Sequence, residues 1–111
     1  MSSFPDFFDA LLPTMGDSSG RGWVVNNNVQ VLFYEVNEGG GSDDLADCDE
    51  YGIVLSGDID ITIDGRTVRY SRGETYFVPA GVPNHKYNHP GVRGIDVFSK
   101  PDRFAIPDAS A

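Results

Sequence analysis

The chain has 111 residues, of which 40% are hydrophobic and 12% aromatic, which suits one globular domain with its own core. Its formal net charge of −9 argues against nucleic acids and anionic membranes as partners, because both require basic surface. Acidity of this size is typical of a soluble protein.

Cysteine content and hydrophobicity set further bounds. Cys48 is the only cysteine, so neither an internal disulfide nor a zinc cluster of several thiolates can form. No apolar run approaches the roughly 20 residues that a membrane helix needs. The first residues lack the basic region of a secretory signal peptide. We therefore expect a cytoplasmic protein.

The first predicted element is a short helix in SSFPDFFDALLP. Ser3 is placed to cap this helix and Pro13 to end it. Apolar side chains recur at helical spacing on one face, at Phe4, Phe7, Phe8, Leu11 and Leu12. Such a face needs something to pack on, which is either the chain's own domain or a second subunit.

After a predicted loop over 16–22, the hydrophobic pattern changes to the two-residue period of strands. VQVLFYEV (29–36) is rich in β-branched and aromatic residues and predicts a strand. A glycine-rich acidic segment (37–49) interrupts the pattern. Six further short strands are predicted, over 50–55, 58–63, 66–70, 75–78, 85–88 and 93–99.

Glycine and proline separate these strands at short intervals, and Asp64-Gly65 is a strong hairpin signal. This spacing predicts an all-β sandwich or barrel. We divide the chain into an N-terminal helix and loop (1–22), a barrel (23–104) and a C-terminal tail (105–111).

Two segments carry a family resemblance. EYGIVLSG runs from Glu50 to Gly57, and GETYFVPAGVPNHKYN runs from Gly73 to Asn88. Their spacing resembles the two motifs of the cupin superfamily, in its small single-domain cupin-2 type, over roughly residues 29–104. The resemblance implies a double-stranded β-helix, which is a jelly-roll barrel with a ligand pocket in its lumen.

The resemblance also implies where a metal would bind, and the sequence departs from the family there. Metal-binding cupins carry an HxH pair, a Glu or Gln, and one more histidine. The matching positions here hold Asp44 and Ala46, then Glu50, then Asn84. We predict no cofactor; the alternative is a divalent metal ion on the oxygens of Asp44, Glu50 and Asn84.

A shift of one residue in the second motif is a further alternative. Because side chains alternate along a strand, the shift would turn His85 and Tyr87 into the lumen and leave Asn84 in the turn. His85 would then be available to a metal. The family spacing from Asn84 to Asn88 favours the unshifted register.

A pocket without metal can still be catalytic, since the resemblance extends to sugar-nucleotide epimerases that use a His or Tyr acid–base pair. On this reading Glu50 is the base or residual ligand, and His85 or Tyr87 is the acid. The expected ligand-binding residues are Asp44, Asn84, Tyr34 and Asn88.

The leading hypothesis is an isomerase or lyase acting on a polar, sugar-like or acid-like small molecule. The alternative is a barrel that binds or senses a ligand without catalysis, because a fold alone does not fix activity. We also expect a homodimer, since small cupins commonly pair and the apolar helix face offers a contact surface.

Overall fold

Ten short strands form two antiparallel sheets that face each other, and one short helix lies outside them. They are seen in a computed structural model that describes residues 4–105. The helix α1 spans Phe7–Leu11. The strands are β1 Thr14–Gly16, β2 Gly20–Asn26, β3 Gln30–Val36, β4 Gly40–Asp44, β5 Glu50–Ser56, β6 Ile59–Ile63, β7 Arg66–Tyr70, β8 Thr75–Val78, β9 Asn84–Asn88 and β10 Arg93–Phe98.

The strand order is that of a jelly roll. One sheet has the order β1-β2-β3-β10-β5-β8, and the other has the order β4-β9-β6-β7. Alternation along each strand sends one set of side chains between the sheets, as Val54 of β5 and Ile61 of β6 show. The predicted all-β double-stranded β-helix with a short helix is confirmed.

The helix packs on its own domain. The Phe8 ring lies 4.9 Å from that of Phe33 and 6.1 Å from that of Trp23, on the outer face of the six-stranded sheet. The Trp23 indole N–H donates to Asp9 Oδ1 at 2.9 Å. Asp6 stands at the N-cap, and the predicted capping residue, Ser3, lies outside the described residues.

Two segments predicted as loops contain strands. Gly20 to Gly22 belong to β2, which pairs with β1 in a hairpin. The acidic segment contains β4, whose sequence GGSDD has no hydrophobic alternation. This strand exists because β9 pairs with it along its whole length, from Gly40↔Asn88 to Asp44↔Asn84. Tertiary pairing, and not local propensity, decides its conformation.

The segment after β10 returns to the barrel. Gln30, which is fully buried, accepts from the Phe104 N–H at 2.8 Å. Its amide group donates to the carbonyls of Phe104 at 2.9 Å and of Pro101 at 3.2 Å. These hydrogen bonds of Gln30, which we call the Gln30 clamp, hold residues 101–104 against the end of the barrel. The predicted tail lies outside the described residues beyond Ala105.

Within residues 4–105, no helix has the length and hydrophobicity needed to cross a membrane.

Candidate functional site

Charged side chains from both sheets converge on a cavity of about 290 Å³ near the C-terminal segment. This volume lies at the small end of the range of ligand pockets. The cavity is lined by Ser42, Asp43, Asp44, Glu50, Lys86, Asp96, Phe98, Arg103 and Phe104. Four strands, β4, β5, β9 and β10, supply its walls, so the site is part of the rigid sheets.

Lys86 lies at the centre of this group. Its side chain is 13% exposed, and its Nζ lies 2.7 Å from Asn84 Oδ1 and 2.9 Å from Glu50 Oε1. A third oxygen, Asp44 Oδ2, lies 3.4 Å away, which is the outer limit for a hydrogen bond. The ammonium is therefore held by oxygens from three strands.

The register of β9 decides between the two alternatives for the second motif. Asn84 is buried and donates to the carbonyl of Val82 at 3.1 Å, whereas the His85 side chain is 46% exposed. His85 Nδ1 lies 2.8 Å from Asp43 Oδ1 at the surface, and Tyr87 is exposed beside His89. The shifted register is wrong: neither His85 nor Tyr87 turns inward.

Glu50 is joined to a second buried carboxyl group, that of Asp96. The two side chains share a hydrogen bond, and the Tyr76 hydroxyl donates to Asp96 Oδ1. Burial and the neighbouring Glu50 carboxylate raise the pKa of Asp96 well above its usual range. The raised pKa favours the protonated form of Asp96, which can donate its O–H to Glu50.

Tyr34 lies behind this carboxyl pair. Its hydroxyl is 3.1 Å from that of Tyr76, and burial raises the pKa of both hydroxyls far above the usual value. Neither tyrosine lines the charged cavity, and Asn88 does not line it either. Of the predicted residues, the structure brings Asp44, Glu50 and Asn84 together around Lys86, and leaves Tyr34 in the core.

Arg103 completes the charged set from the C-terminal segment. One of its guanidinium nitrogens lies 2.6 Å from Asp44 Oδ1. Burial alone would raise the pKa of Asp44, but Lys86 and Arg103 hold it below the usual value. The guanidinium also stacks on the Phe104 ring, 4.6 Å from its centre. Arg103 is thus fixed by both Asp44 and the clamped segment.

A larger cavity, of about 430 Å³, opens between the sheet edges formed by β7 and β8. Its lining combines apolar side chains, among them Ile61, Ile63 and Val68, with the charged side chains of Asp64 and Arg66. Tyr76 lines it from the lumen, so the hydrogen bond between Tyr76 and Asp96 separates the two cavities. We place the functional site in the smaller cavity, because the buried ionisable groups converge there.

Comparison with known families agrees with this architecture. A family model described as "Cupin domain" matches residues 33–98. The chain belongs to the cupin family. None of the curated protein sequences matches it significantly.

Solved structures show the same fold. KdgF from Halomonas sp. superposes with a TM-score of 0.69 at 17% identity, over 80% of this chain and 84% of that one. An RmlC-like cupin from Shewanella frigidimarina gives 0.70 at 18% identity, over 93% and 94%. The EutQ protein of Clostridium difficile gives 0.61 at 27% identity, over 79% and 69%.

The residues of this cupin do not fit the divalent metal that the family commonly binds. The three positions expected to hold histidine carry Asp44, Ala46 and Asn84. The oxygens of Asp44, Glu50 and Asn84 surround the Lys86 ammonium, which takes up the space between them. Within residues 4–105, no three His, Cys, Asp or Glu side chains converge as a metal ion requires.

Sequence reasoning missed three charged residues of the site, Lys86, Asp96 and Arg103. Lys86 was within reach, because it stands two residues after Asn84 and so shares its face of β9. Asp96 gave a misleading signal, since it points inward while its apolar neighbours Ile95 and Val97 point outward. Arg103 gave no local signal, because its segment is held by hydrogen bonds to Gln30, which lies 74 residues before Phe104 in the sequence.

Proposed function

We propose that this cupin is an acid–base enzyme of the isomerase or lyase type, acting on a small polar molecule, sugar-like or acid-like, without a metal ion. The observation that carries the proposal is the buried Glu50–Asp96 carboxyl pair beside the Lys86 ammonium, in one cavity. Catalytic sites typically hold buried ionisable groups whose surroundings push their pKa values apart.

The reaction class follows from the proton that the pair shares. A carboxylate takes a proton from the carbon next to a carbonyl group, and the electrons of the broken C–H bond form an enolate. Lys86 stabilises the enolate oxygen, since only two of its three N–H groups have short hydrogen bonds. The proton returns to a neighbouring carbon in an isomerase, or the enolate expels a β-substituent in a lyase.

The acid role passes from His85 and Tyr87 to the carboxyl pair in this proposal, because both of those side chains are exposed and outside the cavity. Glu50 keeps the base role predicted from the sequence. The balance of charges in the cavity supports a small polar substrate. The cations of Lys86 and Arg103 offset the negative charges of Asp44 and of the carboxyl pair, which carries one proton. The rings of Phe98 and Phe104 offer an apolar wall to the carbon skeleton.

Exchange of substrate hydrogen with solvent tests the proposal. The protein is incubated in deuterated water with aldoses, ketoses, uronates and hydroxy acids, and deuterium at the carbon beside the carbonyl is followed by proton NMR. We expect exchange with at least one compound, loss of it in Glu50→Gln and Asp96→Asn, and no change in the exposed control Glu38→Gln. Binding without exchange for every compound would support the non-catalytic alternative.

We also propose that two copies pair through the outer face of the six-stranded sheet. Apolar side chains form two adjacent rows there: Val31, Val97, Tyr51 and Phe77 in one, and Phe33, Ile95 and Ile53 in the other. Tyr51 is 50% exposed and Phe77 is 55% exposed. Large exposed apolar side chains at the edge of partly buried apolar rows are typical of contact surfaces between subunits. A cytoplasmic location stays a prediction, which cell fractionation tests.

A further inference from the structure

Three oxygens surround one cation in the lumen of the barrel. Asn84 on β9, Glu50 on β5 and Asp44 on β4 direct side-chain oxygens at Lys86 Nζ, at 2.7, 2.9 and 3.4 Å. The family resemblance assigns these same three positions to metal ligands. The cation they hold in this chain is part of the protein.

A divalent ion and the ammonium compete for this place. Both would need the same oxygens, and like charges at this separation repel strongly where water is largely excluded. The ammonium is also covalently tethered, so it pays no entropy of association. Arg103 adds a second cation, 2.6 Å from the other oxygen of Asp44, which further opposes a divalent ion.

We propose that Lys86 is the resident cation of this barrel and takes the place that a divalent metal ion has in metal-binding cupins. The inference holds whether or not the cavity turns over a substrate, since it concerns only which cation the three oxygens hold. Removing the ammonium while keeping Asp44, Glu50 and Asn84 therefore uncovers an oxygen-rich site, which suits Mn²⁺ or Mg²⁺.

Titration with Mn²⁺ after chelation tests the inference, with unbound Mn²⁺ measured by electron paramagnetic resonance. The chain has only two lysines, Lys86 and Lys100, and Lys100 is the matched control because it too pairs with an aspartate, Asp47. We expect Lys86→Met to bind about one Mn²⁺ per chain, at least tenfold more tightly than the wild type. Lys86→Arg, which keeps the cation, and Lys100→Met should bind like the wild type.

Two further measurements link the gain in Mn²⁺ affinity to the oxygens of the site. Asp44→Asn in the Lys86→Met background should reverse most of this gain in affinity. Mn²⁺ should raise the melting temperature of Lys86→Met and leave that of the wild type unchanged, because a ligand stabilises only the state that binds it. A folded Lys86→Met with no tighter Mn²⁺ binding than the wild type would overturn the inference.

A measurement on the unmodified protein covers the case in which Lys86→Met does not fold. NMR spectra of ¹⁵N-labelled lysine side chains contain only the Lys86 and Lys100 signals, which Lys100→Met assigns. We expect a sharp, slowly exchanging Lys86 signal that excess Mn²⁺ does not broaden. Selective broadening of the Lys86 signal at about one Mn²⁺ per chain would overturn the inference, because the metal would then share the site with the ammonium.

Discussion

Lys86 Nζ lies 2.9 Å from Glu50 Oε1 between the two sheets, where the Glu50 side chain is 5% exposed and that of Lys86 is 13% exposed. A charge in such a place is stable only while its counter-charge remains, because neither group regains its hydration when the other is lost. The pair is therefore a structural requirement of the barrel as well as the centre of its cavity.

Lys86→Met should destabilise the fold by about 3–5 kcal/mol, because it leaves the buried Glu50 carboxylate without the counter-charge of the ammonium. Lys86→Met combined with Glu50→Gln should recover much of this loss, and urea unfolding measures each variant. The exposed control Lys100→Met should change the free energy of unfolding by less than about 1 kcal/mol. Equal losses in the two lysine variants would contradict a buried pair.

The buried carboxyl group of Asp96 makes stability depend on pH. Its pKa is raised in the folded state, so its stabilising effect is full below the unfolded value of about 4 and declines as the pH rises toward the folded pKa. Asp96→Asn should flatten this decline as the pH rises above about 4, where a difference of one bound proton corresponds to about 1.4 kcal/mol per pH unit.

Urea unfolding at several pH values measures the slope, and the exposed carboxylate of Asp102 provides the control. Asp102→Asn should keep the wild-type slope. An Asp96→Asn protein with an unaltered pH dependence would show that Asp96 is ionised in the folded state.

Gly52 gives the Tyr76 ring its place in the lumen. A Cβ at Gly52 would lie 2.2 Å from the Tyr76 ring, whereas at Gly20 the nearest atom would be 3.8 Å away. Gly52→Ala should destabilise the fold by about 1–3 kcal/mol through overpacking, and Gly20→Ala should have little effect. Near-ultraviolet circular dichroism should report displacement of Tyr76 in Gly52→Ala alone; an unchanged spectrum and stability would refute the packing described here.

Gln30 should control access to the site. Gln30→Ala removes the side-chain hydrogen bonds to residues 101 and 104 and should cost about 1–3 kcal/mol. Hydrogen exchange of residues 99–104 should accelerate, because the clamp holds this segment. Asn37→Ala, which removes exposed side-chain hydrogen bonds elsewhere, is the control. Protection of residues 99–104 that survives in Gln30→Ala would show that another contact anchors the segment.

Pairing of two copies is tested on the outer face of the six-stranded sheet. Tyr51→Lys with Phe77→Lys should convert a dimer into a monomer, as measured by light scattering after size exclusion, because it places charges in an apolar contact. Val68→Lys, at an exposed position on the other sheet, should leave the dimer intact. A monomeric wild type, or a dimer that withstands both charges, would refute this surface.

The fold could be predicted from the sequence because the signals of its turns and strands are local. Gly57, Gly73 and Gly81 adopt positive φ at the turns where the motif spacing placed them. Strand β4 was not accessible, because its pairing with β9 and not its own residues makes it a strand. The same limit applies to Arg103, which reaches the site only through the distant clamp by Gln30.

Part of the site could be predicted from the sequence, because the motif positions that form it are also local signals. The cupin resemblance placed Asp44, Glu50 and Asn84 at the positions of metal ligands, and the structure brings the three side chains together around Lys86. What they surround depends on side-chain packing across the lumen. A lysine on a strand is usually a solvated residue, and only its enclosure by three oxygens distinguishes Lys86 from Lys100.

Elemental analysis of the wild-type protein, purified without metal-affinity resin, tests most directly the claim that the barrel works without a metal ion. We predict far less than one equivalent of manganese, iron, nickel or zinc, because the Lys86 ammonium takes up the space between the three oxygens. About one equivalent of any of these metals per chain would contradict the claim.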